Sequence, residues 1–213
     1  MDEEFYKKLR ERILPYFKIN DGHGFDHTER VYKNALIISK EENVDLDVVK
    51  VSSLMHDIAR HKETDNNGVC HANEGAKIAK EILRELNFPE KKLKNVLHCI
   101  EVHRFSKGLK TETREAEILQ DADRLDALGA MILIRMIQNA LTHNLPIHNP
   151  KIPIKEKYDG KGSTVINHLY EKILKIKPDT FKTRKARQFA EKRYKLIEDF
   201  AKCFMEEYGE ENQ

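Results

Sequence analysis

At 213 residues, with 35% charged and 39% apolar side chains, the chain is long enough to bury its own core and too apolar for disorder. A net charge of +2 and no long basic run exclude the electrostatic footprint of a nucleic-acid binder. Cys70, Cys99 and Cys203 lack any CxxC spacing, which excludes a disulfide framework or a zinc knuckle and fits a reducing compartment.

The opening "MDEEFYKKLRERIL" is charged and amphipathic, unlike a signal peptide. Within it, Phe5, Leu9 and Ile13 mark a first helix ending near Pro15. "NDGHGF" reads as a loop, and a helix follows from about Asp26 to Glu42, with Val31, Ala35 and Ile38 on one face. Asp45 is placed to cap the next helix, expected to run through Ala59. "RHKETDNNGVC" is polar and turn-forming, and helices are expected at 72–86, 90–104 and 115–141.

"THNLPIHNPKIPIKEKYDGKGS" carries three prolines and two glycines and is the longest irregular segment. Its length suits a lid or a connector better than an inert loop. Helices resume at about Thr164–Lys175 and run, after a Thr180 cap, to Tyr208. No stretch alternates like a strand, and no apolar run approaches the roughly 18–20 residues of a membrane span. The expectation is an all-α, single-domain protein of the cytoplasm, with a core over 20–141, helices over 163–208 packed on it, and 142–162 as loop or lid.

Three inward-facing groups carry chemistry. His27 shares a helix face with Val31, Ala35 and Ile38; His56–Asp57 sits among Val48, Val49, Val51, Leu54, Met55 and Ile58; Asp123 shares a face with Ala116, Leu119, Ala127, Ala130 and Ile134. Singly, each reads as a satisfied core residue, and arginines such as Arg30, Arg60 and Arg124 are at hand as partners. Together, two imidazoles and two carboxylates on buried faces are most economically compensated by a divalent cation.

The order His27…His56–Asp57…Asp123 resembles the HD-domain superfamily of metal-dependent phosphohydrolases. The resemblance extends to "HTERVYKNAL", "LMHDIARHK", "ILQDADRLDALGA" and "INHLYEKILKIK", and covers about residues 20–208. It implies an HD-type helical bundle in which His27, His56, Asp57 and Asp123 hold the metal, with Asp57, Asp121 and His61 as candidates for proton transfer. Members with two metals commonly carry adjacent histidines where this chain has His103–Arg104. His71 and His103 are therefore assigned to phosphate binding or partial ligation of a second metal, and Arg30, Arg124 and Lys172 to phosphate binding. His98, about 140° from His103 on the helix, is assigned a structural role.

Mixed imidazole and carboxylate donors suit Mn²⁺, Fe²⁺, Co²⁺, Ni²⁺ or Zn²⁺, with Mg²⁺ the less matched ion. The implied activity is hydrolysis of a nucleotide or another small phosphorylated metabolite by metal-activated water. The alternatives are a cyclic-nucleotide-type phosphodiesterase and a non-catalytic nucleotide-sensing module. No membrane or nucleic-acid partner is expected, and a homodimer is one option for assembly.

Overall fold

A computed structural model describes residues 1–17, 24–63, 68–160 and 162–209. Most of the expected loop at 20–25 and part of the polar turn after Lys62 lie outside these residues. The described chain is all-α: α1 (Glu3–Ile13), α2 (Phe25–Ser39), α3 (Leu46–Met55), α4 (His71–Glu85), α5 (Glu90–Val102), α6 (Arg114–Asp126), α7 (Ala130–Thr142), α8 (Val165–Glu171) and α9 (Arg184–Tyr208). No single helix among them is long and apolar enough to cross a membrane. The three cysteines are free thiols.

The chain divides into two compact units, Met1–Asp123 and Arg124–Gln213. In the first, α3 packs between α2 and α5, and α5 packs on α4. Val31, Ala35, Ile38, Val51, Leu54, Ile100 and Leu119 fill its core with no exposed surface. Asp45 caps α3, accepting the amides of Asp47 at 3.0 Å and Val48 at 3.4 Å. Two buried bonds tie the middle of α6 to this unit. Asn34 Nδ2 donates to the Ala122 carbonyl at 3.3 Å, and Gln120 Nε2 to that of Val102 at 2.6 Å. Such buried side chain–backbone bonds fix an orientation that apolar packing alone leaves free.

In the second unit, α7 contacts both α8 and α9. Arg193 donates to the Leu125 carbonyl at 2.6 Å, and Arg135 pairs with Asp126 at 2.9 Å. Among the described residues, 143–160 and 162–164 contain no helix, as the proline-rich composition predicts. This segment is nevertheless pinned to α8: Val165 N donates to the Pro146 carbonyl at 3.2 Å, and Asn167 Nδ2 to that of Pro153 at 3.0 Å.

Three boundaries differ from the sequence expectation, each for a local reason. The helix expected through Ala59 ends at Met55, and tight turns follow, with Ile58 N on the Met55 carbonyl at 3.1 Å and Arg60 N on that of Asp57 at 2.9 Å. Here the His56 ring donates from Nδ1 to the Ser53 carbonyl at 2.8 Å, engaging an acceptor that a continuing helix would give to a backbone amide. The expected 115–141 helix is two helices, α6 and α7. Gly129, at φ 86°, breaks it in a conformation that favours glycine, and the Ala127 and Leu128 amides turn back three residues. The cap of α9 is Thr183, whose hydroxyl accepts the Ala186 amide, while Thr180 gives its hydroxyl to the Lys177 carbonyl at 2.6 Å.

Candidate metal centre

Helix ends gather the histidines. His27 lies in the first turn of α2, His56 follows the last residue of α3, His71 opens α4, and His103 follows the last residue of α5. All four are at most 2% exposed, and Asp57 is 5% exposed. Buried imidazoles at helix ends place polar rings next to unused backbone groups, so the rings are oriented by the helices themselves. His56 Nδ1 donates to the Ser53 carbonyl at 2.8 Å, and His103 Nδ1 to the Ile100 carbonyl at 2.6 Å. The two rings use the same bond, three residues back along the chain. In both, a proton fixed on Nδ1 leaves Nε2 as a lone pair in the neutral ring.

Asp57 stands between two imidazole pairs. His27 and His56 bring their Nε2 atoms to 3.3 Å from each other, with Asp57 Oδ2 at 3.9 Å from the first and 3.8 Å from the second. His71 and His103 likewise bring Nε2 atoms to 3.3 Å, with Asp57 Oδ1 at 3.1 Å from His71 and 3.4 Å from His103. In each group the ligand atoms lie within 4.8 Å of one another, close enough to hold a metal ion. Asp123 Oδ1 joins the first pair, 3.4 Å from His27 Nε2. The Asp123 side chain is 28% exposed against 6% for Asp57, so the open edge of the cluster lies on its side.

Burial and neighbouring charge shift the ionisable groups of the cluster in different directions. Burial pushes His56 down to about 4 against the pull of Asp57 and Asp123, so its ring is neutral near pH 7. Burial works in the same direction on His103, but the hydrogen bond and charge of Asp57 outweigh it and raise the ring. For Asp123, burial opposes the charge, yet the contact with His27 and the surrounding imidazoles hold the carboxyl at about 2.

Glu63, unmarked in the sequence reading, meets the outer edge of the second pair. Its Oε2 accepts from His71 Nδ1, Arg60 reaches the same oxygen at 2.5 Å, and Arg104 reaches Oε1 at 2.8 Å. Burial opposes the charge of Glu63, but these donors hold its carboxyl below the ordinary range. Its sequence context, a charged turn, is that of a solvated residue, so only the fold reveals it.

The remaining predicted residues have contacts of their own. Asp121 is fully buried, two positions before Asp123 and so on another side of α6. The His61 ring centre lies 6.3 Å from that of Tyr16, and its buried Nδ1 has no hydrogen-bond partner among the described residues. Arg30 pairs with Asp26 at 2.7 Å. In the second unit, Arg124 donates to the carbonyl of Thr180 at 3.0 Å and lies 4.2 Å over the Phe181 ring, while Lys172 sits 5.3 Å over Tyr158. His98 Nε2 accepts the Glu112 amide at 3.0 Å, the structural role expected of it.

An all-helical unit whose helix ends deliver four histidines and two aspartates to one buried point defines a metal-binding α domain. The HD domain family model matches residues 24–128, which span every residue of the cluster. Over 97% of its length, and 100% of the other's, the chain is 30% identical to an HD-superfamily hydrolase from Bacillus thuringiensis, with a TM-score of 0.72. A Lactobacillus plantarum protein of known structure is 25% identical, with a TM-score of 0.78 and coverage of 98% of this chain and 99% of that one. YpgQ of Bacillus subtilis is 28% identical over 192 residues, 86% of this chain and 83% of that protein. Its crystal structure in complex with ADP superposes with a TM-score of 0.71 at 23% identity, covering 94% of this chain and 96% of that one, a likeness of fold. The chain belongs to the HD superfamily.

Proposed function

We propose that this protein is a metal-dependent phosphohydrolase acting on the phosphoanhydride or phosphoester bond of a nucleotide. One observation carries the reading. Each oxygen of Asp57 faces its own pair of imidazole Nε2 atoms, buried and at ligand spacing. In the second pair the Nδ1 atoms of both rings face acceptors, so with both rings neutral three lone-pair atoms converge within 3.4 Å. Such a convergence is unfavourable until a cation enters it.

The donor set fits two divalent first-row ions: His27, His56, Asp57 and Asp123 around one, and His71, His103 and Asp57 around the other. Bound there, such ions activate water and polarise phosphoryl oxygens. The protein's own contribution is alignment. Ser53 and Ile100 set the ring tautomers, Asp57 fixes the spacing of the two positions, and Asp123 marks the edge from which substrate enters. The ADP bound by YpgQ supports a nucleoside phosphate as the substrate class. A sensing role without turnover would need the same ions and the same ligand, and differs only in the outcome of an assay.

The test is metal analysis joined to a substrate panel. Protein reloaded with Mn²⁺ or Co²⁺ should hydrolyse nucleoside di- or triphosphates, and phosphate or pyrophosphate release identifies the bond. His56→Ala and Asp123→Ala should lose metal and reduce turnover by about 100-fold or more, since even an outer hydrogen-bond partner of a ligand is worth 10–100-fold. Full activity in both variants would overturn the assignment, and nucleotide binding without turnover across the panel would favour the sensor.

A further inference from the structure

We propose that Glu63 is a positioning residue for the second metal position. Its carboxylate, clamped between Arg60 and Arg104, accepts a hydrogen bond from His71 Nδ1–H and so leaves the Nε2 lone pair facing Asp57 and His103. The inference rests on the two-ion reading above.

His71 has two neighbours at Nδ1 with opposite demands. Glu63 Oε2 is an ionised acceptor and requires a proton there, whereas Arg60 NH1, 3.1 Å away, can only donate and would require a lone pair. With Glu63 present the contest is decided, because Arg60 turns its hydrogen to the same carboxylate oxygen at 2.5 Å. With Glu63 removed, Arg60 is left facing the ring. The neutral imidazole would then accept from Arg60 at Nδ1 and carry its proton on Nε2, 3.1 Å from Asp57 Oδ1. That proton would sit where a metal must bind.

Arg104 has a distinct part in this arrangement. It arrives from beyond the end of α5, next to His103, and binds the other oxygen of Glu63 at 2.8 Å. It thereby ties the support of His71 to the chain segment that carries His103. The two ligands of the second position are held to each other through Arg104 and Glu63 as well as through the ion. A carboxylate–histidine–metal relay of this kind fixes tautomer and ring orientation and raises ligand basicity.

The experiment compares Co²⁺ uptake with the state of the His71 ring. Isothermal titration of the metal-free protein should show two equivalents in the wild type. In Glu63→Ala the tighter-held first equivalent should be retained and the second weakened about 10–100-fold, with Glu63→Gln in between because its amide oxygen still accepts. His71→Ala serves as the reference for complete loss of the second equivalent. Long-range ¹H–¹⁵N correlation spectra of the metal-free protein at alkaline pH should place the His71 proton on Nδ1 in the wild type and on Nε2 in Glu63→Ala, while Arg60→Ala keeps it on Nδ1. Wild-type affinity for both equivalents in Glu63→Ala, with the tautomer unchanged, overturns the proposal. A wild type that binds one equivalent overturns the two-ion reading, and this inference with it.

Discussion

One ring in each imidazole pair beside Asp57, His56 and His103, is held by a helix carbonyl, but His71 is held by other means. His56 is oriented by the Ser53 carbonyl, inside a helix whose last residues are fully buried, and that support is lost only if the helix is lost. His71 is oriented by a carboxylate on an irregular segment, whose charge must in turn be held by Arg60 and Arg104. The first arrangement is built into the fold, whereas the second depends on side chains that a substitution, or an anion competing for the arginines, can withdraw. Identical ligands can therefore differ in how firmly they hold an ion.

The sharpest way to break the comparison is to remove what the pairs share. Asp57→Ala should abolish both equivalents of bound metal and lower turnover by about 100-fold or more, measured by metal content and initial rates. Next in size is to remove one pair at a time. His27→Ala and His103→Ala should each lose one equivalent and keep the other, and a loss of both in either variant would show that neither pair holds an ion alone. The smallest effect lies far from the cluster and tests the fold without the site.

Asp47 accepts from Tyr6 at 2.7 Å and from Lys92 at 2.6 Å. Burial opposes its charge, but these donors drive its carboxyl well below the ordinary 3.8. A depressed carboxyl stabilises the folded state above its unfolded value and loses that contribution as pH falls through the acid range. Asp47→Asn should therefore cost about 1–2 kcal/mol at pH 7, the worth of a hydrogen bond to a charged group reduced by solvent screening at a half-buried site. The cost should shrink below pH ~4 in thermal melts, with metal content unchanged.

The helices were legible because apolar spacing reports which face is buried. The same property explains the misplaced ends. Spacing continues through Gly129, so α6 and α7 read as one helix, although that glycine's left-handed backbone divides them. It continues through His56–Asp57 too, and cannot show that a ring nitrogen there has taken up a backbone acceptor. In the site, His27, His56, Asp57 and Asp123 stood out as polar groups on apolar faces. The closeness of His71 to His103 was not readable, because periodicity says that each is near a core but not that two helix ends meet. Arg104, read as a departure from a two-histidine pattern, instead supports Glu63. Glu63 itself lies in a polar turn, where a carboxylate attracts no notice until its partners are in place.

The convergence of imidazole nitrogens on Asp57 has a consequence for stability as well as for the proposed chemistry. Atoms that repel one another in the metal-free chain lower its stability, and ions that relieve the repulsion bind the folded chain far better than the unfolded one. Stability then rises by about 1.4 kcal/mol for each tenfold rise in free ion above the dissociation constant. The folded population of this protein would thus follow the availability of metal in its surroundings, and chelation would act as a denaturant.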